Sequence, residues 1–151
     1  FFQAFAGMEG GFRQRAQDVI AIVRSERTRY VVVASPHRET VAEAVWFAGQ
    51  LREQGIADVA GIVNRVHPRF GDGTADDAAR HADKAEASGG GDRAALWRNV
   101  AELRRLAESE REELAPFTDV LGGPPAGEVP LLGGDVHDLS TLAEVRTHLF
   151  Q

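Results

Sequence analysis

The chain has 151 residues, 43% of them hydrophobic, enough for one ordinary core, so a single domain is expected. Its net charge of −6 at pH 7 argues against a nucleic-acid surface, which needs a basic patch. The lack of cysteine excludes disulfides, thiolate metal sites and a cysteine nucleophile in this stretch. No apolar run approaches the roughly 20 residues of a membrane span, and no basic region leads an apolar run at the start, so a cytoplasmic protein is expected.

In chain order, Phe1, Phe2, Phe5, Met8 and Phe12 form an opening Phe/Met stripe. Such a stripe is either core, the commoner outcome, or a groove for a hydrophobic client helix. Phe12, Ala16, Val19, Ile20 and Val23 recur with helical spacing and predict an amphipathic helix. The β-branched run Tyr30-Val31-Val32-Val33-Ala34 predicts a short strand buried on both faces. Ser35 as an N-cap and Pro36 at the first helical position then predict a helix start. That helix carries Val41, Ala44, Val45, Ala48 and Leu51 on one face and ends at Gly55. Val59 to Val63 reads as a second strand closed by Asn64, completing a right-handed βαβ unit of a parallel sheet that, with the opening helix, makes up 1–67.

A helical excursion fills 68–127. Gly71-Asp72-Gly73 and Gly89-Gly90-Gly91 read as flexible connections flanking an Ala/Asp-rich helix from Thr74 to Ala87. A charged helix from Asp92 to Pro116 carries the stripe Leu96, Val100, Leu103, Ala107 and Leu114, interrupted by Glu110. The last piece, 128–151, holds a third strand at Val129-Pro130-Leu131-Leu132, its proline placing it at a strand end or edge. Asp138 caps a final helix expected to bury Leu142, Val145 and Leu149.

In open parallel sheets ligands bind beyond the carboxyl ends of the strands. Three turns emerge there: Ser35 to His37, Asn64 to Val66, and Pro130 to Gly134. Asn64 is the leading candidate, because its carboxamide offers a donor and an acceptor together, as the edge of adenine does. On spacing alone the plainer reading is an Asn that terminates a strand. Pro130 and Leu131 form either an apolar shelf for a base or ordinary packing.

Three runs, in this order, carry a resemblance: VVVASPHRETVAEAV at 31–45, GIVNRV at 61–66 and EVPLLGGDVHDLSTL at 128–142. Together they resemble the C-terminal half of the ArsA-type (arsenical-pump-driving) ATPases, a family that includes tail-anchored-protein targeting ATPases and bacterial anion-transporting relatives. The resemblance spans nearly the whole chain and rests on order and spacing more than on any single motif. It implies a three-layer, parallel-sheet half-domain of P-loop type, with a helical excursion between the second and third strands. It also implies that Asn64 reads adenine, that Pro130, Leu131 and Leu132 cover the base, and that ATP is the ligand, with Mg²⁺ only in an intact parent. The parent would be a homo- or heterodimer coupling ATP hydrolysis to ion transport or to handling of a membrane-protein or other hydrophobic client.

The departures from the family pattern matter equally. The chain opens on Phe1-Phe2-Gln3 and contains no G-x-x-x-x-G-K-[ST] run, no switch I aspartate and no D-x-P-P stretch, which the resemblance places upstream. His137-Asp138 stands where Arg-Gly is common, and Arg93-Ala94-Ala95-Leu96 stands near the zinc-binding C-x-x-C of eukaryotic members. No catalytic residue is therefore expected in this chain, and a non-catalytic regulatory or interaction module on an α/β scaffold is the alternative. His67, Asp72, Asp76, Asp77 and His81 form a ligand-like cluster whose plainer reading is a solvated acidic face.

Overall fold

The computed structural model describes residues 2–56 and 58–150, with side chains from residue 10 onward. Among the described residues the chain runs α1 (Phe2–Val23), β1 (Tyr30–Ala34), α2 (Arg38–Glu53), β2 (Val59–Val66), α3 (Ala75–Ala87), α4 (Gly91–Leu121), β3 (Gly127–Pro130) and α5 (Leu139–Leu149). The strands form one parallel sheet in the order β1-β2-β3, and the pair α3–α4 forms the excursion between the second and third strands. The fold is therefore α/β, as the strand–helix–strand spacing predicts.

One face of the sheet carries the core. Val32, Ala34, Val59 and Val63 point into it and meet Val41, Ala44, Ala48 and Leu51 of α2, with Leu114 and Phe117 of α4. Phe117 is fully buried. Gly61 lies directly beneath α4: a Cβ built there would stand 2.3 Å from Leu121 Cδ1 and 3.0 Å from Phe117 Cζ, so only a bare backbone admits the helix at this distance.

The opposite face is half open. Val31 and Val33 are 53% and 58% exposed, so β1 alternates rather than being buried on both faces. A continuous apolar run cannot report which face a neighbour covers, because every position in it satisfies either choice. α5 covers this side only over β3, where Leu149 Cδ2 comes within 2.9 Å of the position a Gly127 Cβ would take. The helix buries none of its own residues completely, and Leu142, expected in the core, is 53% exposed. Phe12, Val19, Ile20 and Val23 of α1 are likewise exposed. For Phe12 the core reading of the opening stripe therefore fails. Phe1, Phe2, Phe5 and Met8 lie outside the described side chains.

Several element ends differ from the sequence reading for local reasons. The N-cap of α2 is His37, which makes no side-chain cap bond, and the helix begins at Arg38. The His37 amide instead donates to the Ser35 carbonyl in a tight turn, and the Thr40 hydroxyl braces it by donating to the same carbonyl. α4 passes through Pro116, which lacks an N–H and costs a helix interior about 3 kcal/mol. Burial of Leu114 and Phe117 on either side offsets that loss. The helix stops only at Gly122, whose φ of 78° is the left-handed cap conformation.

The inward stripe of α4 is Ala94, Ala101, Arg104, Ala107, Glu110, Leu114 and Phe117, while Leu96, Leu103 and Leu106 are exposed. α3 packs on α4 through Ala75, Ala78, Ala82 and Ala85, so this interface is built of small side chains. Both buried charges bind backbone. Arg104 donates to the carbonyls of Phe70 (2.9 Å) and Thr74 (3.1 Å), holding the glycine-containing turn 71–73 that composition alone marks as flexible. Glu110 accepts from the His67 amide at 2.8 Å and pairs with His67 Nδ1 at 2.5 Å.

Among the described residues no helix is long and apolar enough to cross a membrane.

Candidate functional site

The site is built where β2 ends. Val63 and Val66 are both buried on the core face, yet two residues separate them rather than one. The sheet register explains this: Asn64 lies opposite Val129, Val66 lies opposite Pro130, and Arg65 is the extra residue of a β-bulge. Arg65 has φ 65°, and among the described residues it is the one non-glycine with positive φ. In a regular strand neighbouring side chains point to opposite faces. The bulge instead leaves both Asn64 and Arg65 exposed, and both line the same cavity.

That cavity has a volume of about 680 Å³ and lies on the open face, at the carboxyl ends of β2 and β3. Its size falls within the roughly 300–1,000 Å³ of small-molecule sites. Val33, Ile62 and Val129 form its sheet side. Pro130, Leu131 and Leu132 border it along the turn after β3, which is fixed by the Leu131 amide donating to the Val66 carbonyl at 2.8 Å. Leu142, Val145 and Leu149 of α5 close it opposite. These three residues, expected as core, are cavity lining. The stripe at i, i+3 and i+7 was visible in the sequence, but its spacing cannot separate a core face from a pocket wall.

Asp138 positions that wall. Its side chain accepts from the Thr141 amide at 2.8 Å, and the Thr141 hydroxyl receives the Asp138 amide in return, a reciprocal capping box at the start of α5. Hydrogen bonds from the Thr141 amide, then from Ser140 and the Thr141 hydroxyl, hold the Asp138 carboxyl below the usual carboxylate range. The cap is the role its position in the sequence predicts, and the adjacent His137 Nδ1 is engaged with the Asp135 carbonyl.

The structure thus brings Asn64, Pro130, Leu131 and Leu132 together around one space. The third strand turn contributes, whereas Ser35, at the end of β1, does not line the cavity. β2 extends through Val66, so Asn64 does not close the strand; it sits one residue before its irregularity. The carboxamide of Asn64 makes no hydrogen bond among the described residues, leaving donor and acceptor available. The lining is otherwise apolar apart from Arg65 and Asp135, which are the charged residues bordering the space. A flat, largely apolar group with one polar edge suits this donor set. A full triphosphate does not, since one arginine is the whole cationic complement. Sequence reasoning passed over Arg65, and no signal could have found it, because arginine has no preference for a left-handed bulge position.

The Asp77–His81 spacing gathers no ligand set. Asp77 is held by the capping box of α3 with Thr74 and by an ion pair with Arg80, and His81 stacks on Trp97 with ring centroids 4.6 Å apart. Among the described residues no group of three or more His, Asp or Glu could hold a metal ion. The chain matches no protein-family model and no curated protein sequence.

Proposed function

We propose that this chain is the base-reading part of an ArsA-type, P-loop-class ATPase of three-layer architecture, binding the adenine of ATP. The observation that supports it is the convergence of Asn64 with Pro130, Leu131 and Leu132 on one mainly apolar cavity at the carboxyl end of a parallel sheet. In this reading Asn64 pairs with the base edge, the turn after β3 covers one base face, and Leu142, Val145 and Leu149 bound the space on the α5 side. ATP when bound supplies the phosphoryl group to be transferred, and a Mg²⁺ would be held with the phosphates by the parent's phosphate-binding portion. This chain's residues orient the base and exclude water from it. They contribute no proton transfer and no nucleophile.

Replacing Asn64 with Ala in the intact parent tests the reading. Loss of a bidentate contact to the base should weaken ATP affinity roughly tenfold or more. Unchanged affinity would count against an adenine pocket. A purified chain of this sequence should show no ATP turnover, because transfer depends on phosphate and metal contacts it does not carry.

A second reading is favoured by a different observation. Val31 and Val33 on the open sheet face, Trp46 and Phe47 on α2, and Phe12, Val19, Ile20, Ile22 and Val23 on α1 are exposed. Such patches mark interaction surfaces. A non-catalytic module using the sheet as a scaffold would need these surfaces and would be indifferent to Asn64.

A further inference from the structure

The bulge at the end of β2 does more than present Asn64. We infer that Arg65 is the anion-binding residue of the same site, engaging the phosphate nearest the nucleoside and making the pocket select nucleotides over nucleosides. The inference rests on the adenine reading and deepens it.

Three observations carry it. First, Arg65 borders the cavity, is exposed, and makes no hydrogen bond or ion pair among the described residues. A guanidinium with five free donors at the mouth of an apolar pocket is a ready partner for a phosphate oxygen pair. Second, its backbone is held at φ 65°, where an arginine is strained and a glycine would not be. Backbone strain of this kind persists where the surrounding structure fixes it, here through the pairing of Asn64 with Val129 and of Val66 with Pro130. Third, the bulge puts two consecutive residues on one cavity. Their Cα atoms are about 3.8 Å apart, so a carboxamide and a guanidinium both reach a single compact ligand.

The charge of the whole chain sharpens the point. At −6 the protein repels anions on average, yet fields beyond about 8–10 Å are screened at ordinary salt, so the nearest charges decide. The charged residues lining the cavity are Arg65 and Asp135. An anionic group therefore has one favourable place to lie, beside Arg65 and away from Asp135.

The test compares adenosine with AMP, titrated into the purified chain and into Arg65→Met, Arg65→Lys and Asn64→Ala, with binding read from amide chemical shifts. The wild-type chain should bind AMP roughly tenfold more tightly than adenosine, the scale of one charge-assisted hydrogen bond. Arg65→Met should abolish that preference, bringing the AMP and adenosine affinities together, Arg65→Lys should restore part of it, and rising salt should weaken AMP more than adenosine. Asn64→Ala should weaken both ligands together. An Arg65→Gly variant, free of the backbone strain, should fold at least as stably as wild type and also lose the preference, so misfolding cannot mimic the result. Equal binding of AMP and adenosine by the wild-type chain overturns the role of Arg65 while leaving the adenine pocket standing. If neither ligand shifts Asn64, both are overturned.

Discussion

The close approach of α4 to the sheet at Gly61 gives the sharpest test of how the fold is held. In Gly61→Ala the new methyl would begin 2.3 Å from Leu121 Cδ1 and 3.0 and 3.1 Å from two carbons of the Phe117 ring. Leu121 is half-buried and can swing its terminal methyl aside at little cost. Phe117 cannot, because it is 0% exposed and wedged between β2 and α2 neighbours. The methyl must therefore push α4 outward or force the ring off its preferred rotamer, an overpacking that costs about 1–3 kcal/mol. Urea denaturation should show a lower midpoint at unchanged slope. Phe117→Leu, which removes the ring edge facing Gly61, should interact with the first change. The double variant should lose less than the sum of the singles by about 1 kcal/mol, a coupling expected only for residues in contact. A Gly61→Ala protein as stable as wild type, or strictly additive losses, would refute the claim that glycine is required by the passage of α4.

Other outcomes follow from the polar contacts. Glu110→Leu leaves the half-buried His67 amide without its acceptor and should cost about 1–3 kcal/mol in the same denaturation assay, whereas Glu110→Gln, which keeps an acceptor, should cost less. Asp138 and Asp77 both have carboxyls held below their ordinary range by hydrogen bonds, first from the Thr141 and Thr74 amides respectively. A lowered folded pKa means that each contribution to stability is complete above the unfolded carboxylate range and is lost as pH falls through the folded value. Acid should therefore loosen α5 and α3 first, and thermal melts of Asp138→Asn, which caps without titrating, should show a shallower decline below about pH 4. Asp138→Ala should instead weaken α5 at neutral pH and, by displacing Leu142 and Val145, reduce ligand binding without lowering the stability of the α2–α4 core.

Much of the architecture was legible because parallel strands and caps leave local signals. The runs at Tyr30–Ala34 and Val59–Val63, the helix following Thr74 and the Asp138 cap lie where pattern and turn chemistry place them, although β2 runs on past Asn64 to Val66. What escaped was set by tertiary contacts. A size-weighted apolar pattern selects Leu96 and Leu103 on α4, yet α3 docks through alanines, where closeness matters more than bulk. Charges are read as outward, yet Arg104 and Glu110 point inward because the backbone of 67–74 offers them partners. Helix propensity stops at Pro116, whereas two buried neighbours carry the helix past it. The cavity lining was legible in part, through Asn64 and Pro130 to Leu132. Its wall from α5 and its bulge at Arg65 were not, since the one arises from how α5 packs on β3 and the other from how β3 pairs with β2.

The central claim is that the cavity beside Asn64 takes an adenine ring. Titration of adenosine into isotope-labelled chain, followed through the Asn64 side-chain amide, tests it most directly. The account predicts saturable shifts at Asn64, Leu131 and Leu132 that guanosine does not reproduce, with the shifts at Leu131 and Leu132 saturating at roughly tenfold higher adenosine in Asn64→Ala. Shifts confined to other surfaces, or equal responses to adenosine and guanosine, would contradict it.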